Sequence, residues 1–178
     1  MKKAAPLLGP EPVFVANIDS VWIDRGDALG DLVKLWDPER AFFLPMFRDD
    51  ETDKEGNVVK KNTLMYETGK HAGSPHGREL ASYVPWAFNM PSAGLEEAWK
   101  FLMDPDYFFS PFGPTTAERN DPQFHLSPTC CWWSGQSWPF ATTQTLKALA
   151  NVLHHYEQDH VSRADYHALL HKYAISHR

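Results

Sequence analysis

Apolar residues recur at helical spacing through the last third of the chain, and this pattern limits the fold more than any other feature. It predicts a helix from Phe140 to Tyr156 whose buried stripe consists of Leu146, Leu149, Val152, Leu153 and Tyr156. Pro139 fits the first position of that helix, because its fixed φ suits the first turn and its missing N–H would have no partner there. The end of the chain is therefore expected to be helical.

A further helix is predicted from Ser162 toward Ile175. Ser162 and Asp165 stand three residues apart, as in a capping box, and so mark its beginning. The apolar side of this helix consists of Tyr166, Leu169, Leu170 and Tyr173.

Two shorter helices are expected upstream. Asp27 can cap the first, which Pro38 stops and whose apolar stripe is Leu29, Leu32, Val33 and Trp36. Ser92 can cap the second, whose apolar stripe is Leu95, Ala98, Trp99 and Leu102. Between them, Phe42-Phe43 and the stretch TLMYET, residues 63–68, are expected to be extended pieces around a charged loop, whose turn signal Gly56-Asn57 predicts a small hairpin. The predicted fold is thus mostly α with a minor β-hairpin, in a domain of residues 27–178 that follows a Pro-rich leader of residues 1–26.

Charge and composition exclude several classes of partner. The 178-residue chain has a formal net charge of −6 and a pI near 5.8, which opposes binding to nucleic acid or to an anionic membrane. No apolar run approaches the roughly 20 residues that a membrane span needs. Prolines and Glu11 interrupt the start of the chain, so no signal peptide is read. Cys130 and Cys131 are adjacent and form no disulfide framework, which leaves the compartment open, with the cytoplasm as the default.

The stretch CCWWSGQSWPF, residues 130–140, places several tryptophans directly before a predicted helix. Aromatic residues make up 13% of a chain whose mean hydropathy is −0.46. The ring faces of Trp133 and Trp138 suit the C–H side of a sugar, and Gln136 and Thr143 offer amide and hydroxyl groups for its hydroxyls. The alternative is that each tryptophan belongs to the core.

Arg78 and Glu79 stand immediately before an aromatic segment that contains Trp86. A carboxyl in an aromatic pocket can have its pKa raised and act as a general acid, or it can stay ionised and bind hydroxyls. The alternative is a surface ion pair. A metal site is not predicted, because His167 and His171 are four apart but Ala168 stands where the usual zinc motif has Glu. No cofactor is expected either.

Four segments in a fixed order resemble a known family. They are KLWDPERAFF, GRELASYVPWAFNMP, LEEAWKFLMDPDYFFSPFGPTTAERNDPQF and CCWWSGQSWPFATTQTLKALANVL. Together they resemble the mannosylglycerate hydrolase-like glycoside hydrolase domain, which is related to glycoside hydrolase family 63 and to trehalases. The resemblance covers about residues 28 to 174 and implies part of an (α/α)6 toroid, the six-hairpin glycosidase fold.

The resemblance also implies a chemistry and a set of site residues. It implies a glycosidase in which an acid protonates the leaving oxygen while a carboxylate base activates water, with the two carboxyls roughly 6.5–9.5 Å apart. From the motif R-E-L-x-x-Y-V-P-W it assigns Arg78, Glu79 and Trp86 to the sugar pocket, and Glu79 is the candidate within the matched segments for a catalytic carboxylate. From W-x-G-x-x-W-P and the helix after it, it assigns Trp133, Gln136, Trp138 and Thr143 to the substrate.

In such toroids the acid and the base come from segments outside the matched ones. The sequence therefore resembles the later part of such a domain, and we expect a fragment that lacks the usual acid and base. The alternatives are a carbohydrate-binding remnant without catalysis and a chain that needs a partner to complete the toroid. Apolar helix surface left exposed in a partial toroid predicts self-association.

Overall fold

The computed structural model describes residues 13–15, 21–23, 28–47, 50–52, 56–127 and 133–176. The chain divides into two compact units, residues 1–34 and 35–178. In the first unit, strands β1 (Val13–Val15) and β2 (Val21–Ile23) pair antiparallel, and helix α1 (Ala28–Lys34) follows. The predicted cap at Asp27 and the residues Cys130, Cys131 and Trp132 lie outside the described residues.

The second unit begins with a short hairpin that the sequence did not predict. Strand β3 (Trp36–Asp37) pairs with β4 (Phe42–Phe43), so Trp36 lies on a strand and not on the first helix, where its spacing had placed it. The Asp37 carboxylate accepts hydrogen bonds from the backbone N–H groups of Glu39 and Arg40 and forms the turn. Trp36 then packs edge-on against Phe43 at 5.1 Å between ring centroids. This local turn and ring contact end the helical pattern early.

A hairpin does form around Gly56-Asn57, but its strands lie within the charged loop, and Phe42-Phe43, predicted as one of its extended pieces, pairs with Trp36-Asp37 instead. Strands β5 (Glu51–Thr52) and β6 (Val58–Val59) pair antiparallel, and a bridge between Met46 and Leu64 extends the pairing. Gly56 has a φ of +87°, which glycine adopts at no steric cost.

The two helices predicted at the end of the chain are also confirmed. Helix α3 (Pro139–His155) has Pro139 in its first turn, and Trp138 precedes it in an extended conformation. Helix α4 (Arg163–Ser176) begins at the predicted capping box. The N–H of Ser162 donates to the Asp165 carboxylate at 2.8 Å, and the N–H of Asp165 donates to the Ser162 hydroxyl at 3.3 Å.

The helix predicted after Ser92 was wrong in type. The structure has a 3-10 helix at Glu96–Phe101, preceded by Leu95 without any side-chain cap. Ser92 caps nothing here, and in the turn before this helix the Glu96 carboxylate accepts a hydrogen bond from the N–H of Gly94 at 2.8 Å. Burial of Trp99 and Leu102 decides the conformation of this segment, and sequence propensity does not.

An aromatic core organises the unit, which combines helices with a few short strands. A 3-10 helix (Leu80–Tyr83) leads directly into helix α2 (Val84–Ala87), and both lie in this core. Its fully buried rings are Phe42, Tyr83, Trp86, Trp99 and Phe108. A last short hairpin joins β7 (Phe109–Ser110) to β8 (Gly113–Pro114).

Helix α3 is fixed to this core by one buried amide. The Asn151 side chain donates to the carbonyl oxygens of Trp86 and Ala87, at 3.0 and 2.9 Å. These carbonyls belong to the last turn of α2, and the carbonyl of Trp86 also accepts the backbone N–H of Asn89 at 3.2 Å. The bond ties the two helices together and sets the direction in which α3 leaves its N-terminal aromatic residues.

Candidate active site

A three-segment backbone ladder joins the two sequence motifs. Glu79 forms an antiparallel bridge with Ala117, and Thr115 forms one with Ser137. The N–H of Leu80 donates to the carbonyl of Thr116 at 2.8 Å, and the N–H of Thr116 donates to the carbonyl of Gly135 at 2.9 Å. The motifs are therefore neighbours through residues 115–117, a segment that the sequence analysis did not single out.

Glu79 has the environment of an acid–base carboxyl. Its side chain is half-buried, and among the described residues no hydrogen bond or ion pair engages its carboxyl. Burial, with a further contribution from the negative charge of Asp121, raises the pKa of Glu79 to about 7. A carboxyl with this pKa is partly protonated near neutral pH and can donate a proton to a glycosidic oxygen.

Arg78 pairs with a buried residue on another segment, and not with its neighbour Glu79. Its guanidinium lies 3.0 Å from the carboxylate of Glu118, which has no exposed surface, and its backbone N–H donates to the same carboxylate at 3.1 Å. It also donates to the carbonyl oxygen of Arg40 at 2.7 Å and lies 4.2 Å above the Phe101 ring. Arg78 is thus buried and held by contacts with other segments, next to Glu79 in the chain.

Glu118 was missed by the sequence analysis. It stands between Ala117 and Arg119 without an apolar pattern around it, and its partner lies 40 residues away. No local signal could have identified it, because the contact forms only when the ladder forms.

The tryptophan motif forms a half-exposed cluster of Trp133, Trp138 and Phe140, which we call the aromatic platform. Trp133 is 41% exposed and lies edge-on to Trp138 at 4.5 Å between ring centroids. The rings of Trp138 and Phe140 are 5.5 Å apart. Exposed ring surface at the start of α3 can contact the apolar face of a sugar.

The other predicted ligands lie around the platform or beneath it. The side-chain amide of Gln136 binds the backbone of Ser127 twice. Its oxygen accepts from the N–H of Ser127 at 2.9 Å, and its NH2 group donates to the carbonyl of Ser127 at 3.1 Å, which fixes the loop before the platform. Thr143 is exposed, and its hydroxyl donates to the carbonyl of Phe140 at 2.7 Å, which leaves its oxygen able to accept. Trp86 is fully buried against Phe43 and Trp99, so its ring faces are covered by protein.

A second carboxylate near Glu79 was also missed. Asp121 accepts a hydrogen bond from the hydroxyl of Tyr66 at 2.6 Å and one from the N–H of Gln123 at 2.7 Å, both on Oδ1. The sequence motif NDPQF suggests only a turn at this position.

Two further features of the described residues concern metal binding and membrane spanning. Within the described ranges, no group of three or more His, Cys, Asp or Glu side chains is arranged to hold a metal ion. His167 and His171 lie on α4. None of the described helices is long and apolar enough to cross a membrane.

A comparison with protein families identifies the family of the chain. The family described as the mannosylglycerate hydrolase MGH1-like glycoside hydrolase domain matches residues 16–178. The chain belongs to this family. The resemblance found in the sequence is thereby confirmed.

Two individual proteins are similar to parts of the chain. A solved structure of a sialidase superposes with a TM-score of 0.66 and 33% identity, and the match covers 86% of this chain and 13% of that one. An N-acetylmuramate alpha-1-phosphate uridylyltransferase of Caulobacter vibrioides is 58% identical over 41 residues, which are 22% of this chain and 17% of that protein. The chain thus spans less than a fifth of the length of either protein.

Proposed function

We propose that the chain takes part in the hydrolysis of an O-glycosidic bond and supplies the sugar-binding surface and one acid–base carboxyl. The observation that carries this proposal is the pair of bridges through residues 115–117, which makes the segment of Glu79 a neighbour of the segment that leads into Trp138. Membership in a glycoside hydrolase family supports it.

Each predicted site residue receives a role in this proposal. Trp133 and Trp138 contact the sugar directly, and Thr143 accepts a hydrogen bond from a hydroxyl. Glu79 donates a proton to the leaving oxygen as the C–O bond breaks, while a water molecule adds to the anomeric carbon and loses its proton to a base. Arg78, Trp86 and Gln136 do not contact the sugar in this proposal. They fix the segments that carry the residues that do.

The same packing supports a partial (α/α)6 toroid. Helices α2, α3 and α4 contact one another in sequence around the aromatic core, with the aromatic platform at the N-terminal end of α3. In this proposal the platform lies at the mouth of the toroid, and segments that the four matched motifs do not include complete the ring and provide the base.

A second candidate function is carbohydrate binding without hydrolysis by this chain, either as a remnant or with a partner that completes the site. One observation favours it. Acid–base hydrolysis needs two free carboxyls, yet Asp121, the carboxylate that acts on Glu79, is already engaged by Tyr66 and Gln123.

Binding and turnover by the same purified chain separate these candidates. Hydrolysis of a panel of p-nitrophenyl glycosides is measured together with binding of the same compounds by calorimetry. Trp133→Ala and Trp138→Ala are expected to weaken binding at least tenfold, whereas Phe88→Ala, at a 50% exposed aromatic residue on another segment, serves as the matched control.

Hydrolysis and binding without hydrolysis predict different results for Glu79→Gln. Turnover that Glu79→Gln abolishes supports hydrolysis by this chain. Binding without turnover, unchanged in Glu79→Gln, supports the binding function. If the two tryptophan variants bind as well as wild type and Phe88→Ala, the aromatic platform is not the sugar surface and the proposal is overturned.

A further inference from the structure

Thr116 lies between the two sequence motifs of the candidate site and has no exposed surface. Its carbonyl oxygen accepts a hydrogen bond from the N–H of Leu80, the residue after Glu79, at 2.8 Å. Its own N–H donates to the carbonyl of Gly135, within the tryptophan motif, at 2.9 Å. The backbone of one buried residue therefore joins the segment of Glu79 to the tryptophan motif.

The hydroxyl of Thr116 adds two further bonds to the same motif. Its oxygen accepts the N–H of Gly135 at 3.0 Å, and the hydroxyl donates to the carbonyl of Gln136 at 3.3 Å. Gly135 is thus bound by Thr116 through both its N–H and its carbonyl oxygen. A buried backbone N–H needs an acceptor, and the threonine oxygen provides one. Valine, which has the same shape without the oxygen, would remove that acceptor.

Gly135 is confined on its other side by His125. The two residues form a parallel bridge, and the N–H of His125 donates to the carbonyl of Ser134 at 2.8 Å. A Cβ added at Gly135 would overlap the carbonyl oxygen of His125, so the two backbones are in direct contact. Position 135 therefore accepts only glycine, which is held between Thr116 and His125.

The backbone around Gly135 carries the rings of the aromatic platform. Trp133 precedes Gly135 by two residues, and Trp138 follows it by three, where no side-chain hydrogen bond caps α3. Because Trp133 is 41% exposed, protein covers only part of its ring, and the backbone that carries the ring contributes to its placement. The bonds that Thr116 makes to this backbone therefore bear on where the platform lies.

We infer that Thr116 is a positioning residue that holds the aromatic platform and the segment of Glu79 in one fixed arrangement, so that a sugar on the platform presents its glycosidic oxygen to Glu79. This inference rests on the proposed function. Thr116 contacts neither the sugar nor the reacting atoms, because it is fully buried, and it acts through Leu80 and Gly135. Such an arrangement matters because a misplacement of about 1 Å can cost roughly 100-fold in rate.

The test compares Thr116→Val with Thr116→Ser, which retains the hydroxyl. The chain is labelled with 5-fluorotryptophan, and the 19F resonances of Trp133 and Trp138 are identified by their loss in Trp133→Phe and Trp138→Phe. In Thr116→Val both resonances are expected to shift by more than their linewidth. Binding of p-nitrophenyl glycosides is expected to weaken about tenfold, the equivalent of one aromatic contact. Thr116→Ser is expected to restore both measurements.

Thr145→Val is the matched control for the loss of a buried hydroxyl. Thr145 is 2% exposed, and its hydroxyl donates to the carbonyl of Ala141 within α3 at 2.9 Å. This variant is expected to unfold at a lower urea concentration than wild type but to keep the wild-type 19F resonances and affinity. Thr116→Ala, which places no methyl group against the N–H of Gly135, is measured in the same way and decides if Thr116→Val does not fold.

The inference is overturned if the folded variant without the hydroxyl keeps the wild-type 19F resonances, or if it binds glycosides as tightly as wild type does. Shifted resonances in a chain whose wild type binds no glycoside would support the positioning of the rings and remove the proposed function. Unshifted resonances in a chain that hydrolyses glycosides would do the reverse, so the two failures are distinguishable.

Discussion

Replacing Glu118 by glutamine tests whether the buried ion pair of Glu118 with Arg78 stabilises the segment that carries Glu79. Glu118 has no exposed surface, and Arg78 is only 6% exposed. Removing one partner of such a pair leaves an uncompensated buried charge and costs about 3–5 kcal/mol. The glutamine keeps one carbonyl acceptor, and a retained hydrogen bond offsets about 1 kcal/mol. We therefore expect the free energy of unfolding to fall by about 3 kcal/mol.

The assay is urea denaturation at pH 7, followed by tryptophan fluorescence. Glu97→Gln is the matched control, since it breaks an exposed ion pair with Lys100, which solvent screens and which contributes about 0.5 kcal/mol or less. If Glu118→Gln unfolds at the same urea concentration as Glu97→Gln, the ion pair does not stabilise the ladder. The stabilising role that we assign to Arg78 would then be wrong.

Three further outcomes are expected. The folded-state pKa of Glu79 is raised to about 7, so its protonated form stabilises the fold below pH 4.5, and this contribution is lost as pH rises to 7. In urea denaturation at several pH values, the free energy of unfolding should therefore fall more steeply with pH in wild type than in Glu79→Gln. Asn151→Ala is expected to lower the unfolding free energy by about 2 kcal/mol, because the carbonyls of Trp86 and Ala87 lose the bonds that join α3 to α2, and an unchanged thermal midpoint would contradict this role. Exposed apolar side chains, among them Leu170 and Ile175 on α4, predict self-association, and sedimentation that shows only monomer at high concentration would exclude it.

The candidate site could be predicted in part. The aromatic platform followed from the sequence because its rings lie within a few residues of a helix start that Pro139 marks. Glu79 was identified from its position before an aromatic segment, although nothing in the sequence indicated that Asp121 would act on it. Glu118, Tyr66 and Asp121 were missed, since each acquires its role from a partner distant along the chain.

The sequence by itself determined the features that depend on short-range chemistry. These are the capping box of α4, the first turn of α3, the glycine turn of the β5–β6 hairpin and the family to which the chain belongs. In each case the residues that interact are close in sequence, or the motif itself carries the information.

Only the tertiary structure decided that Glu96–Phe101 is a 3-10 helix and which carboxylate pairs with Arg78. These outcomes depend on burial and on contacts across 40 residues or more, as for Arg78 with Glu118 and Tyr66 with Asp121. A buried charge must be paired whatever its sequence neighbours are, and the partner is whichever group the packed core brings within reach.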